Sequence, residues 1–251
     1  METGYFTTNH GKLWHRTKEG YSGMHLVCIH GAGGDSRLFI PLMNEIDYCT
    51  VHAVDLPGHG KSKISECTLD AYTQSISEFV DALEGTVYIL GHSMGGGIIF
   101  ELMKRKAHIN GAIFLATAGK LPVNPLVFEL LEKDFDSLCT LAVDLSYGNA
   151  DNTMRATAVK YMKQADSSIL KNDFEICNAY NYDEYAKQVS LPACFIANRK
   201  DKMVPLDITY ATFRAMPNAL LQVFPYKGHM LHIEQVAQVA RSIGYFMELS
   251  L

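Results

Sequence analysis

The chain reads Val87-Tyr88-Ile89-Leu90-Gly91-His92-Ser93-Met94-Gly95 between residues 87 and 95. Its first four residues are apolar and predict a short buried β-strand, and residues 94–106 predict a helix that follows directly. Glycines at positions 91 and 95 allow a tight turn where larger side chains would collide with neighbouring backbone. The helix would direct its free N–H groups and the positive end of its dipole at Ser93. We therefore expect a serine raised on a turn between a strand and a helix.

Strand-like and helix-like segments alternate on both sides of this turn. Further buried strands are predicted at residues 24–30, 50–54, 109–115, 193–197 and 220–224. Helices are predicted at residues 36–46, 69–83, 207–216 and 231–248, and an N-terminal hairpin joins residues 4–8 to 12–15. Such alternation predicts an α/β fold with a mostly parallel sheet that helices cover on both faces.

The alternation is interrupted between the fourth and fifth of the buried strands. Residues 120–187 contain no convincing strand and have the pattern of several amphipathic helices joined by Asp- and Asn-rich turns. We therefore predict a core domain of residues 1–119 and 188–251, with a helical insertion of residues 120–187. The sequence shows neither an internal repeat nor a flexible linker.

Composition and charge exclude several classes of protein. The 251 residues are 48% hydrophobic and 20% charged, which is typical of a globular chain and not of a disordered one. Lys and Arg number 22 against 27 Asp and Glu, a net charge of −5 that argues against a nucleic-acid partner. The longest apolar run, residues 109–118, is too short to span a membrane. The sequence favours neither a monomer nor a homodimer.

The cysteines point to a reducing compartment. The six of them are Cys28, Cys49, Cys67, Cys139, Cys177 and Cys194. None lies in a C-x-x-C pair, no Cys/His spacing is typical of zinc, and a chain of this size can bury a core without disulfides. Residues 1–5 show no basic region followed by an apolar stretch, as a secretion signal would. We expect a cytoplasmic protein with free thiols.

A serine hydroxyl becomes a nucleophile at neutral pH only with a base beside it, and the base needs an acid to orient it. The predicted base is His229, which lies between the strand at residues 220–224 and the terminal helix. His232 is the rival, but it falls inside the predicted helix and is interpreted as a packing residue.

The predicted acid is Asp201, in the loop after the strand at residues 193–197. The other geometrical possibility is the loop after residues 109–115, which offers no carboxylate before Glu129. The order Ser93, Asp201, His229 along the chain is one of the orders in which such triads occur.

Attack on a carbonyl places negative charge on its oxygen, and fixed N–H donors must stabilise that charge. We predict that one donor is the backbone N–H of Met94, directly after the serine. The second is predicted to be the N–H of Ala32, in the glycine-rich loop His30-Gly31-Ala32-Gly33-Gly34. His30 is interpreted as a buried hydrogen-bonding residue that shapes this loop.

Taken together, these segments resemble the α/β-hydrolase superfamily of serine hydrolases over nearly the whole chain. The matching pieces are His30-Gly31 with its glycine-rich loop, Asp55-Leu56-Pro57-Gly58-His59-Gly60-Lys61-Ser62, Gly91-His92-Ser93-Met94-Gly95-Gly96, Asp201 before Val204-Pro205, and Gly228-His229. The resemblance implies an eight-stranded sheet, a helical cap formed by residues 120–187 over the active site, and a structural turn at residues 55–62.

The predicted chemistry is hydrolysis of a carboxylic ester of a small, hydrophobic substrate through an acyl-enzyme, with no metal or organic cofactor. Apolar side chains at residues 121–131 and five tyrosines of the insertion could line the site, or could pack the cap onto the core. The tyrosines are Tyr147, Tyr161, Tyr180, Tyr182 and Tyr185. Perhydrolase or haloperoxidase-like, thioesterase and carbon–carbon bond hydrolase activities on the same triad stay open, as does a non-enzymatic small-molecule receptor.

Overall fold

A single sheet of eight strands forms the centre of this computed structural model, which describes residues 1–250. The strands are β1 (Glu2–Thr8), β2 (Gly11–Lys18), β3 (His25–Ile29), β4 (Thr50–Val54), β5 (Val87–His92), β6 (Gly111–Leu115), β7 (Ala193–Lys200) and β8 (Ala219–Lys227). Their order across the sheet is β1-β2-β4-β3-β5-β6-β7-β8. β2 pairs antiparallel with β1 and with β4, and the other neighbours pair in parallel. The predicted mostly parallel, eight-stranded α/β fold is confirmed.

Eleven α-helices connect these strands within residues 1–250, and a 3-10 turn at Ser36–Phe39 precedes the first. They are α1 (Ile40–Glu45), α2 (Leu69–Asp81), α3 (Gly95–Lys104), α4 (Pro125–Lys133), α5 (Phe135–Ser146), α6 (Asn152–Met162), α7 (Ser167–Ala179), α8 (Asp183–Ala186), α9 (Leu206–Ala215), α10 (Leu231–Glu234) and α11 (Val236–Leu249). The predicted terminal helix is divided, because Gln235 leaves the helical conformation with φ −128° and ψ 41°.

The two last strands extend beyond their predicted ends. β7 continues to Lys200 and β8 to Lys227, and these two residues pair with each other across the sheet. The extensions contain the buried but polar Asn198 and the exposed residues 199–200 and 225–227, so they lack the apolar signal by which a buried strand is recognised. As a result, Asp201 and Gly228 follow directly after the strands rather than within longer loops.

Two apolar layers cover the sheet. On one face, α2 and α3 contribute Tyr72, Ile76, Ile98 and Phe100 to a buried cluster with the strands. On the other face, α1 and α11 supply a second buried cluster that includes Leu42, Met43, Ile243 and Phe246. Short apolar strands are stable here because both of their faces are removed from water.

The five helices α4 to α8 lie between β6 and β7, where the sequence predicts an insertion. Part of this segment has its own apolar cluster, in which Leu131, Leu138, Leu170 and Phe174 meet. Its last part, by contrast, packs on the core through Tyr180, Tyr182 and Ala186. All six cysteines are free. None of the helices in residues 1–250 has the length and apolarity needed to cross a bilayer.

His52 on β4 allows a test of this buried architecture. The His52 ring is buried, with Nδ1 3.1 Å from the Thr17 hydroxyl and Nε2 3.0 Å from His25 Nδ1. Burial, together with the neighbouring His25 and His15, lowers the pKa of His52 to about 3. Between about pH 3 and pH 6.5, His52 is therefore neutral in the folded protein and protonated in the unfolded chain.

Because the pKa of His52 is depressed in the folded state, its contribution to stability is lost as the pH falls below 6.5. We expect the free energy of unfolding to drop between pH 7.5 and 5.0 by about 2 kcal/mol more in the wild type than in His52→Gln. Urea unfolding at the two pH values measures this difference. His10→Gln, at an exposed turn, is the control and should follow the wild type. Equal pH dependence in His52→Gln and the wild type would contradict the assignment.

Candidate active site

Ser93 occupies a strained turn at the carboxyl end of β5. Its φ is +53°, a left-handed conformation that a residue with a side chain seldom adopts. Two backbone contacts hold it there: the Ser93 N–H donates to the Leu115 carbonyl at 3.1 Å, and the Thr117 hydroxyl donates to the Ser93 carbonyl at 2.6 Å. The neighbouring strand β6 and the residues after it thus support the conformation that raises the Ser93 side chain from the sheet.

Close approach of backbone explains the glycines around Ser93. A side chain at Gly91 would collide with the backbone of Gly95, and a Cβ at Gly95 would lie 2.8 Å from the carbonyl oxygen of Ile29. A Cβ at Gly31 would lie 2.9 Å from Ser93 Cβ, below any normal contact distance. The loop after β3 therefore passes directly beside Ser93.

His229 lies two residues after β8, beyond Gly228, whose φ of +93° turns the chain. The His229 backbone N–H donates to the Ser146 carbonyl of α5 at 2.6 Å. Its ring atom Nδ1 is 2.8 Å from Asp201 Oδ2, and the side chain is only 4% exposed. Because a carboxylate can only accept, Nδ1 carries the hydrogen and Nε2 is left to accept a proton.

Asp201 is held from its other side by backbone. Its Oδ1 accepts hydrogen bonds from the N–H groups of Met203 at 2.8 Å and Val204 at 3.1 Å, so that Oδ2 is left for His229. The Asp201 side chain is 1% exposed. A carboxylate with both oxygens engaged in this way can fix the orientation of the imidazole ring.

His232 has no hydrogen-bond partner for either ring nitrogen within residues 1–250, and its ring is fully buried. Burial, together with the nearby His229, lowers the pKa of His232 to about 3. His232 is therefore a neutral packing residue, and His229 is the histidine that pairs with the acid.

His92 has a role that the sequence did not indicate. Its Nε2 donates to the His229 carbonyl at 3.1 Å, and its ring centre lies 4.6 Å from that of His229. Burial lowers the pKa of His92, and His232 and His229 lower it further. The neutral His92 ring thus supports the backbone of His229. It occupies the variable second position of G-x-S-x-G, which carries no signal for such a contact.

The backbone N–H groups of Ala32 and Met94 donate to no other group within residues 1–250 and are free to bind an oxyanion. Met94 immediately precedes α3, and Ala32 lies in the loop that passes Ser93. His30 shapes this loop as expected: Nδ1–H donates to the Gly31 carbonyl at 2.8 Å, and Nε2 accepts the Leu56 N–H at 3.1 Å. Burial, with His59, lowers the pKa of His30 to about 4 and keeps it neutral.

Ser93, His229 and Ala32 line one cavity of about 120 Å³. Most of its other walls are apolar side chains, which are Leu38, Ala142, Val143, Tyr147, Ala158, Tyr161, Met162, Phe174, Met203 and Met230. The insertion supplies seven of these ten side chains, from α5, α6, α7 and Tyr147 directly after α5, and none of them from residues 121–131. Of the two alternatives open for residues 121–131, the structure has the packing one. Val127, Phe128 and Leu131 pack among the helices of the insertion, and Leu121 packs on the core.

The turn at residues 55–62 is held by hydrogen bonds and contributes no residue to this cavity. Asp55 Oδ1 accepts the Ser36 N–H at 2.8 Å, and Oδ2 accepts the Lys61 N–H at 2.7 Å. Within residues 1–250, no group of three or more His, Cys, Asp or Glu side chains is arranged to hold a metal ion.

The chain is similar in sequence to known hydrolases. Residues 26–242 match the sequence model of the alpha/beta hydrolase family, so the chain belongs to this family. The predictions of the family, its fold and a hydrolytic enzyme are confirmed.

Among curated relatives, the pimeloyl-[acyl-carrier protein] methyl ester esterase of Nitrosomonas europaea is 23% identical over 227 residues, which cover 83% of this chain and 89% of that protein. The 2-hydroxy-6-oxo-6-(2'-aminophenyl)hexa-2,4-dienoic acid hydrolase of Metapseudomonas resinovorans is 23% identical and covers 95% of this chain and 89% of that protein. Among solved structures, an esterase from Exiguobacterium antarcticum superposes with a TM-score of 0.88 at 16% identity, covering 97% of this chain and 98% of that chain.

The contact between Gly31 and Ser93 gives a direct test of the site. Gly31→Ala would place a methyl group against Ser93 Cβ and displace the loop or the serine. We expect labelling of Ser93 by a fluorophosphonate probe to slow by about tenfold or more, since a small misplacement of reacting groups is costly. Gly4→Ala, whose Cβ would meet only an ordinary contact at 3.7 Å, is the control. Equal labelling rates for Gly31→Ala and Gly4→Ala would contradict the assigned geometry.

Proposed function

We propose that this protein hydrolyses a carboxylic ester with Ser93 as nucleophile, His229 as general base and acid, and Asp201 as the group that orients His229. The observation that carries the proposal is the hydrogen bond between Asp201 and His229, whose ring lines the same cavity as the strained Ser93. The methyl ester esterase among the relatives supports ester hydrolysis as the reaction.

In the first half of the reaction, Ser93 Oγ attacks the ester carbonyl while His229 Nε2 takes the hydroxyl proton. The carbonyl oxygen becomes an oxyanion, which the N–H groups of Ala32 and Met94 stabilise. Collapse of this intermediate breaks the bond to the alcohol, and His229 gives the alcohol its proton. An acyl group remains on Ser93.

The second half repeats these steps with water. His229 removes a proton from a water molecule, the resulting hydroxide attacks the acyl carbonyl, and the same two N–H groups hold the oxyanion. The bond to Ser93 Oγ then breaks, and His229 returns the proton to the serine. The carboxylic acid leaves and the enzyme is regenerated.

The cavity favours a short apolar group on the substrate. Its volume of about 120 Å³ is close to that of an apolar cavity known to hold benzene, roughly 150 Å³. No Asp, Glu, Lys or Arg side chain lines it within residues 1–250. We propose that residues 120–187 act as a cap which selects the substrate, because α5, α6 and α7 form much of the cavity wall. The six free thiols suit the cytoplasmic location that we also propose.

A series of p-nitrophenyl esters tests the reaction and the nucleophile together. We expect the wild type to hydrolyse the acetate and butyrate faster than the decanoate, because the longer chain exceeds the cavity. Ser93→Ala should reduce turnover on the order of a millionfold, as loss of a triad serine does in serine proteases. Ser146→Ala, at another serine of the same cavity, is the control and should stay within about threefold of the wild type.

Full esterase activity in Ser93→Ala would exclude the proposed nucleophile. Matched thioesters, and peracid formation from acetate and hydrogen peroxide, distinguish ester hydrolysis from the other reactions that one triad can support. Faster turnover of these alternatives than of the ester, with the same loss in Ser93→Ala, would reassign the substrate and keep the nucleophile.

A substitution in the cavity wall tests the role of the insertion. Ala142 of α5 is buried and lines the cavity, so Ala142→Leu would fill part of it. We expect hydrolysis of the butyrate to fall about tenfold relative to the acetate, since the added methylene groups compete with the acyl chain for space. Thr140→Leu, at an exposed position on the same helix, is the control. An unchanged ratio of butyrate to acetate rates in Ala142→Leu would argue against this wall as the acyl site.

A further inference from the structure

A buried carboxylate of the insertion reaches into the core beside the proposed oxyanion site. Asp173 lies on α7 and is fully buried. Its Oδ2 accepts the Gly33 backbone N–H at 2.9 Å and is 2.8 Å from His59 Nε2. Its Oδ1 accepts the Tyr72 hydroxyl at 2.8 Å. One side chain of the insertion thus binds the glycine-rich loop, the turn at residues 55–62 and α2.

The contact with His59 is a buried ion pair. His59 Nδ1 is 2.9 Å from the Pro57 carbonyl, so both ring nitrogens face acceptors and both carry hydrogens. Burial alone would lower the pKa of His59, but the hydrogen bond and the negative charge of Asp173 outweigh it and raise that pKa. A buried ion pair is weak support for overall stability, because desolvation of the two charges offsets their attraction. We therefore relate the contact between Asp173 and Gly33, rather than the ion pair, to the reaction.

Gly33 is in a position to transmit this contact to the reaction. Its φ is +64°, and it directly follows Ala32, whose N–H is free. The peptide that joins Ala32 to Gly33 carries the N–H that Asp173 binds, so the carboxylate fixes the plane of this peptide. A Cβ on Gly33 would lie 2.8 Å from Leu170 Cδ1, which shows how closely α7 covers the loop. Among the side chains of residues 120–187, only Asp173 hydrogen-bonds to residues 30–34.

We propose that Asp173 is a positioning residue. By holding the peptide between Ala32 and Gly33, it orients the Ala32 N–H toward the oxyanion. The oxyanion site is therefore complete only when α7 is packed on the core. The inference rests on the proposed function, because it assigns Ala32 to the oxyanion. It also assigns a function to the ion pair with His59: His59 holds the Asp173 carboxylate in place as the acceptor for the Gly33 N–H.

The test compares Asp173→Leu, which keeps the branching of the side-chain heavy atoms and removes every acceptor, with the conservative variant Asp173→Asn. With p-nitrophenyl butyrate, we expect kcat to fall roughly 10- to 100-fold in Asp173→Leu and KM to change less than threefold, since removal of one oxyanion donor costs about 100- to 1,000-fold. The inhibition constant of a trifluoromethyl ketone, which mimics the oxyanion, should rise in parallel. Asp173→Asn, which can still accept from Gly33, should recover most of this loss but remain at least threefold below the wild type.

Tyr72→Phe is the matched control, because it removes a hydrogen bond to the same carboxylate and leaves the bond to Gly33 intact. It should keep kcat within about twofold, even where its melting temperature falls. Hydrogen exchange of residues 30–35, measured by mass spectrometry, reports on the loop without reference to activity. We expect faster exchange in Asp173→Leu and Asp173→Asn than in Tyr72→Phe.

These measurements separate the two proposals. If the wild type hydrolyses no ester, the proposed function fails and the exchange of residues 30–35 decides the positioning role alone. If the ester is hydrolysed and Asp173→Leu is folded with unchanged kcat and inhibition constant, the positioning role is overturned and the function stands. If Asp173→Leu does not fold, unchanged kcat and unchanged exchange in Asp173→Asn overturn it in the same way.

Discussion

Parallel pairing of β3, β5, β6, β7 and β8 places the carboxyl ends of these strands at one edge of the sheet. Residues that follow different strands lie far apart in the chain. They meet at this edge because the parallel register places the ends of their strands side by side. Ser93 follows β5, Asp201 follows β7 and His229 follows β8 by two residues. The loop that contains Ala32 follows β3. Every group that we assign to the reaction therefore depends on this one alignment.

Several buried histidines lie near this edge of the sheet. His30, His92 and His232 are buried and are kept neutral by burial, whereas His59 is held charged by Asp173. Neutral rings can pack and donate hydrogen bonds to backbone without a competing charge beside the base His229. The buried positive charge of His59 is matched by the Asp173 carboxylate of the insertion and is thereby compensated locally.

The sequence predicted the strands that are buried on both faces, because β-branched and aliphatic runs bounded by glycine are a local signal. It also predicted Ser93, Asp201, His229, Ala32 and Met94 as site residues, since these follow strands in an order that can meet at one edge. It did not predict the polar ends of β7 and β8, which exist through their pairing with each other. The break at Gln235 was missed as well, because residues 231–248 keep a helical pattern throughout.

The amino-acid order alone therefore predicted the fold, the turn at Ser93 and the partners that we propose for Ser93, since each of these has a signature within a few residues. Tertiary structure alone established which walls form the cavity and what Asp173 and His92 contact. Apolar residues of α4 have the pattern of a site wall, but Leu131 is buried among neighbouring helices and Val127 and Phe128 pack beside it. Asp173, on a helix rich in polar residues, shows no local feature that distinguishes it from a surface charge. The reason is physical: the direction in which a helix turns its side chains toward a site depends on the packing of neighbouring helices, and no short segment encodes it.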